Sequence, residues 1–167
     1  MKSTAANLGR VFILRLEDGE VLNETLETFA REQNIERALV FFVGGAADGS
    51  KLVVGPAHDD GKAAVGERDA GRGEVEGTVV DGAVVPLIHT LSGAQETLGV
   101  GTLIADEAGQ PILHMHAAAG REGAATVGCT RAGMKTWLVG EVVILEILGT
   151  QALRKVDPAT GFQLLSV

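Results

Sequence analysis

Short apolar runs separated by glycine-bearing polar turns fill almost the whole chain. The 23 glycines among 167 residues are roughly twice the usual share and follow no period. Glycine weakens a helix interior but suits tight turns. A chain punctuated this way is expected to build many short strands rather than a helical bundle. The runs fall at residues 8–16, 38–43, 51–54, 75–80, 83–88, 98–105, 111–119, 126–130 and 137–148, with two short ones at 152–156 and 162–165. Residues 38–43 (ALVFFV) are continuously apolar and read as a strand buried on both faces, broken by Gly44-Gly45. Asp81-Gly82 between β-branched runs signals a two-residue hairpin. Residues 157–161 (DPATG) have the chemistry of a turn.

One segment departs from this pattern. Residues 23–36 carry apolar positions at helical spacing, with Leu22, Leu26, Phe29, Ala30 and Gln33 tracing an inner face. Asn23 suits an N-cap, and Glu24 and Glu27 fall where the helix dipole favours acids. The expectation is an α+β fold: a mostly antiparallel sheet of about seven to eight strands with one main helix packed on it. A length of 167 residues suits a single domain over 1–167, with its core at about 9–165. Residues 55–73 are polar, glycine-rich and long for a loop, which suggests a mobile segment or a lid.

The formal charge is −8 and the pI about 4.9. Nucleic-acid binding leans on clustered Lys and Arg, and here the basic residues are scattered singly apart from Arg154-Lys155. No direct DNA or RNA binding is expected. No apolar run approaches the ~18 residues of a membrane span. The single cysteine excludes an internal disulfide, and the opening residues lack the apolar core of a secretory signal. The expected location is cytoplasmic.

The strongest chemical signal is in residues 111–129. On a strand, residues two apart share a face, so His114 and His116 stand side by side while Leu113, Met115 and Ala117 point the other way. Cys129, returning on a neighbouring strand, adds a thiol. Imidazole and thiolate are the usual ligands of zinc and related divalent metals, and three protein donors leave an open position. His89, His58, Glu96 or water are candidates for the fourth ligand. Arg121 and Arg131 flank the region and could clamp the carboxylate or phosphate of a substrate or other small-molecule ligand. The same residues also read as two strand histidines bonded to backbone with a buried cysteine, or as a Cys/His dyad. Gly99-x-Gly101 lacks the strand–turn–helix setting of a dinucleotide fingerprint. No catalytic residue can be assigned.

Taken together, GRVFILRLEDGE from Gly9, Gly44-Gly45-Ala46, LGVGT at 98–102, His114-Met115-His116-Ala117, Gly128 to Gly133 and then Glu141-Val142-Val143 resemble the PPC (plants and prokaryotes conserved) domain family. The resemblance runs from about residue 9 to 165. It implies a mostly antiparallel sheet with a helix against it, assembled as a homotrimer, and metal bound by the His-x-His pair in some prokaryotic members. Many relatives carry Gly-Gly-His where this chain has Val127-Gly128-Cys129, so Cys129 would replace a histidine as third ligand. A thiolate softens the donor set and favours zinc. Plant members owe minor-groove reading to an AT-hook. Here no Arg-Gly-Arg core in a basic context exists, and Gly71-Arg72-Gly73 has acidic neighbours. The resemblance thus implies a metal-binding homotrimer of a DNA-binding-like, regulatory family. The alternative is a metal-dependent enzyme on a small polar or acidic substrate.

Overall fold

The computed structural model describes residues 1–57, 84–158 and 161–167. The expected hairpin at Asp81-Gly82, the run 75–80, most of the 55–73 loop and His58 lie outside the described residues. In chain order the elements are β1 (Asn7–Glu17), α1 (Leu22–Glu32), β2 (Arg37–Ala46), β3 (Lys51–Pro56), β4 (Pro86–Thr90), β5 (Gln95–Ala105), β6 (Pro111–Arg121), β7 (Ala124–Cys129), one 3-10 turn (Thr130–Ala132), β8 (Thr136–Leu148), β9 (Leu153–Val156) and β10 (Gln163–Ser166). Eight strands form one sheet in the order β1-β8-β2-β5-β6-β7-β3-β4, and β9 and β10 pair as a separate ribbon. Every paired strand is antiparallel. This is the expected α+β fold with one helix against a mostly antiparallel sheet.

Helix α1 packs on one sheet face. Leu22, Leu26 and Ala30 are buried there with Leu16, Val40, Phe42, Leu103, Met115 and Ile144, and Phe29 meets Phe12 edge-on at 5.3 Å between ring centres. The helix is shorter than expected because Asn34 turns left-handed at φ 54°. The Ile35 N–H donates to the Ala30 carbonyl at 2.8 Å and the Asn34 N–H to that of Arg31 at 3.2 Å. This Schellman closure satisfies the last carbonyls and sends Ile35 into the core. The cap position is Val21, with no side-chain cap bond; the Asn23 side chain instead bonds to Leu113 and Thr130. No helix among the described residues is long and apolar enough to cross a membrane.

Strand β2 corrects the reading of residues 38–43. Its burial alternates: Ala38, Val40 and Phe42 face the core, while Phe41 and Val43 are 39% and 61% exposed. It does not break at Gly44-Gly45 but runs on to Ala46, with a register shift against β8 between those glycines. The exposed apolar residues are part of a larger surface. Cross-strand pairing lines up Ile13, Val143, Phe41, Val100 and His116 in one row, and Arg15, Glu141, Val43, Leu98, Ala118 and Val127 in the next. Ile13, Val43, Leu98 and Val127 are each more than 60% exposed. The face opposite the helix therefore carries a broad apolar band.

At the far edge, Arg10 clamps β1 to β8. Its Nε donates to Glu146 Oε2 at 2.8 Å and a terminal nitrogen to Oε1 at 2.6 Å, and the same terminal nitrogen reaches the Gln33 carbonyl at the end of α1. Glu146 is buried, and the Arg10 bonds hold its carboxyl below the usual carboxylate range. Its charged form is thus favoured in the folded chain. That stability is present above the unfolded carboxylate pKa and is lost as pH falls through the lower folded value. A Glu146→Gln variant is expected to melt several degrees below the parent at pH 7. The gap should close below about pH 4, as thermal unfolding across a pH series would show. A gap independent of pH would exclude the charge as its source.

Candidate metal centre

The site begins with strand alternation in β6. Leu113, Met115 and Ala117 are buried under α1, and His114 and His116 stand on the opposite, exposed face. Two glycines make room for this arrangement. Gly101 lies directly across from Met115, and a Cβ there would sit 2.6 Å from the Met115 Cβ and 2.7 Å from the His114 carbonyl oxygen. A Cβ on Gly99 would meet the Met115 sulfur at 3.0 Å. Gly99-x-Gly101 is a recess for Met115.

Strand β7 pairs with β6 only as far as His116 opposite Cys129. Beyond that point helix side chains serve the edge of β6. The Leu113 N–H donates to Glu27 Oε1 at 2.9 Å, and the Leu113 carbonyl accepts from Asn23 Nδ2 at 3.1 Å. Asn23 Oδ1 also accepts from the Thr130 hydroxyl at 2.7 Å. Asn23 thus joins the residue before His114 to the residue after Cys129. Burial pushes the Glu27 carboxyl upward, against the Leu113 bond that lowers it. The acid expected to serve the helix dipole instead secures the histidine strand.

The His114 and His116 Nε2 atoms approach to 3.2 Å with the rings edge-on. Cys129, directly across from His116 and only 2% exposed, completes a group whose donor atoms all lie within 4.8 Å of one another. Tetrahedral zinc with ordinary Zn–N and Zn–S bonds needs donor separations of roughly 3.3–3.8 Å; the two imidazoles stand at about that spacing, and the thiol, within 4.8 Å of both, is close enough to join them by a small side-chain adjustment. Both histidine pKa values are lowered, first by burial. For His114 the charges of Arg154 and Arg131 add to this; for His116, those of His114 and Arg131. The imidazole lone pairs are therefore available to a metal at neutral pH.

The other sequence candidates are dispersed. Arg131 lines a cleft of about 560 Å³ with His116 and Cys129. His89 pairs with Leu52, a core residue, whereas the adjacent Val53 pairs with Cys129; strand alternation sends His89 to the other face. Glu96 shares the histidine face but lies four residues along β5 from Val100, the neighbour of His116, or about 13 Å. Arg121 ends β6, donates to the Ala94 carbonyl at 3.0 Å and pairs with Glu122 at 3.2 Å. With Glu96 and Trp137 it lines a separate, shallow groove.

Sequence reasoning passes over Arg154. It is 5% exposed and reaches Thr102, the partner of His114, with a 2.8 Å bond to the hydroxyl. Its second terminal nitrogen approaches the Gln163 carbonyl at 3.4 Å, and its Nε is buried without a partner. Only the fold brings the β9–β10 ribbon back beside the histidines. The one sequence sign is a basic pair inside a short apolar run.

The chain is similar in fold to several solved proteins. A plant- and prokaryote-conserved protein of Pyrococcus horikoshii superposes with a TM-score of 0.74 at 21% identity, over 100% of this chain and 98% of that one. A metal-containing protein of Archaeoglobus fulgidus gives 0.72 at 21% identity, over 100% of both chains. A candidate DNA-binding protein of Bacteroides thetaiotaomicron gives 0.67 at 16% identity, over 96% of each. No functionally curated protein matches the chain. The sequence profile of the Plants and Prokaryotes Conserved (PCC) domain matches residues 3–148, which include the helix, all eight strands of the main sheet and the three clustered donors, so the chain belongs to the PCC, or PPC, domain family.

Proposed function

We propose that this protein is a homotrimer that binds one divalent metal per chain through His114, His116 and Cys129, and that it does not read DNA directly. The observation that carries the metal is the convergence of two imidazole nitrogens and one thiol within 4.8 Å. Two nitrogens and a sulfur make a borderline-soft set that suits zinc. The A. fulgidus relative, a metal-containing protein, is in keeping with this. Self-association is supported by the apolar sheet face: a monomer rarely leaves so wide an apolar surface in water. The same face of two further copies, grouped about a threefold axis, is a suitable cover, its charged side chains Arg15, Glu17, Glu96 and Glu141 lying at one end. The net charge of −8 argues against direct DNA contact, leaving assembly or regulation, together with a DNA-associated partner, as the role.

Elemental analysis of protein purified without an affinity tag tests the metal. About one zinc per chain is expected, falling at least tenfold in a His114→Ala/His116→Ala variant, as loss of two of three ligands demands. Sub-stoichiometric metal that does not change in the variant would sink the reading. A gel shift at low salt, where phosphate contacts are strongest, should show no retardation of duplex DNA.

A second reading comes from the donor count. Three protein ligands leave a metal position open beside the Arg131 cleft, which suits a metal-dependent enzyme acting on a small acidic substrate. Bound there, a divalent ion would supply a Lewis acid. The chain's own part would be to orient the acid group through Arg131 and to keep the imidazoles neutral.

A further inference from the structure

The cleft beside the metal donors combines two unlike kinds of lining. His116, Cys129 and Arg131 line it together with apolar side chains, among them Val53, Pro56 and Phe162; Val53 stands directly across from Cys129. The Arg131 guanidinium lies 5.8 Å from the centre of the Phe162 ring, a cation–π distance that keeps it at the cleft. Arg131 is the only cationic side chain lining the cleft among the described residues. Buried Arg154, whose charge acts on His114 together with that of Arg131, adds a second positive charge near the donors. Among the described residues, neither arginine has a carboxylate within ion-pair distance, although acids outnumber bases by eight in the chain. Buried charges are ordinarily paired. The Arg131 side of the donor group therefore carries positive charge without a carboxylate partner among the described residues, in an acidic protein.

We propose that the cleft binds a small organic carboxylate, its acid group held by Arg131 next to the metal position and its apolar body laid against Val53 and Phe162. The cleft's volume of about 560 Å³ is within the usual range for small-molecule sites. A carboxylate matches a single guanidinium in bidentate fashion. A phosphomonoester carries nearly twice the charge and three acceptor oxygens, more than one exposed arginine among apolar walls satisfies. The proposal rests on the metal reading for what borders the acid group, and on Arg131 alone for its recognition.

Calorimetric titration of the zinc-loaded protein tests it with four probes: benzoate, acetate, benzyl alcohol and phenyl phosphate. Benzoate should bind, and the other three should bind at least about tenfold more weakly, the worth of one charge-assisted contact or of the apolar body. Arg131→Ala should weaken benzoate by about tenfold or more with zinc content and melting temperature unchanged, and Arg131→Lys should fall between. Equal binding of benzyl alcohol would overturn the role of the acid group. Equal binding of acetate would overturn that of the apolar body, and tighter phenyl phosphate the choice of carboxylate. An unaffected Arg131→Ala variant, or no benzoate binding at all, would overturn the proposal while leaving zinc binding intact. If the protein takes up no zinc but still binds benzoate through Arg131, the metal reading fails and the carboxylate cleft stands.

Discussion

A Leu98→Asp variant should sediment as a monomer at micromolar concentration where the parent sediments as a trimer. Leu98 is 61% exposed within a single chain and sits between Val43 and Ala118 on the face opposite the helix. Covering one leucine is worth about 2 kcal/mol. Three copies in a trimer bring this to about 6 kcal/mol, or roughly four powers of ten in the association constant. Burying three unpaired carboxylates costs more again. The fold of each chain should survive, because in a lone protomer this side chain touches water rather than the core under α1. Aspartate is a poor strand residue, so Leu98→Thr serves as a control: it keeps β-propensity, removes most of the apolar contact and should weaken the trimer without changing the circular dichroism of the sheet. A parent protein that sediments as a monomer would remove the trimer from the proposed function. A Leu98→Asp protein that stays trimeric would place the interface elsewhere.

The same face shows why part of this molecule is legible in the sequence and part is not. Alternation in β6 is readable because strand geometry leaves no choice: with Met115 inward, His114 and His116 must point outward together. Cys129 is readable as a partner because its apolar run has to return beside β6. By contrast, ALVFFV at 38–43 looks the same whether its second face is covered by its own chain or by another copy, so the pattern assigns Phe41 and Val43 to an internal core they do not enter. Asn23 looks like a helix cap because Asn is good at that position. Its bonds to Leu113 and Thr130 depend on β7 leaving β6 at His116, a register no local pattern reveals. Arg154 is the extreme case, since its place beside His114 depends on a ribbon near the end of the chain folding back over β5. Local periodicity determines which side chains share a face, and that much is visible in the sequence. The point at which one strand stops pairing with its neighbour is set by the whole sheet, and no local pattern encodes it.

Gly101→Ala is expected to cost stability and metal together. The added methyl group would lie 2.6 Å from the Met115 Cβ, 2.7 Å from the Met115 Cα and 2.7 Å from the His114 carbonyl oxygen. None of these is the far end of a flexible side chain, so β6 itself must move away from β5. Overpacking of this kind costs about 1–3 kcal/mol and sometimes more, and here the strand that shifts carries both histidines. A displacement of even half an ångström spoils a donor set that must meet one ion. Zinc affinity should therefore fall by more than the drop in melting temperature alone would imply. Met115→Ala separates the causes. By itself it leaves a cavity and costs about 2–5 kcal/mol, but it leaves in place the backbone atoms and the Cβ that the new methyl group strikes. The double variant should thus be no more stable than the sum of the single effects allows, and its zinc affinity should stay low. Recovery of either property in the double variant would mean that the Met115 side chain, rather than the close approach of two backbones, is what glycine at position 101 accommodates.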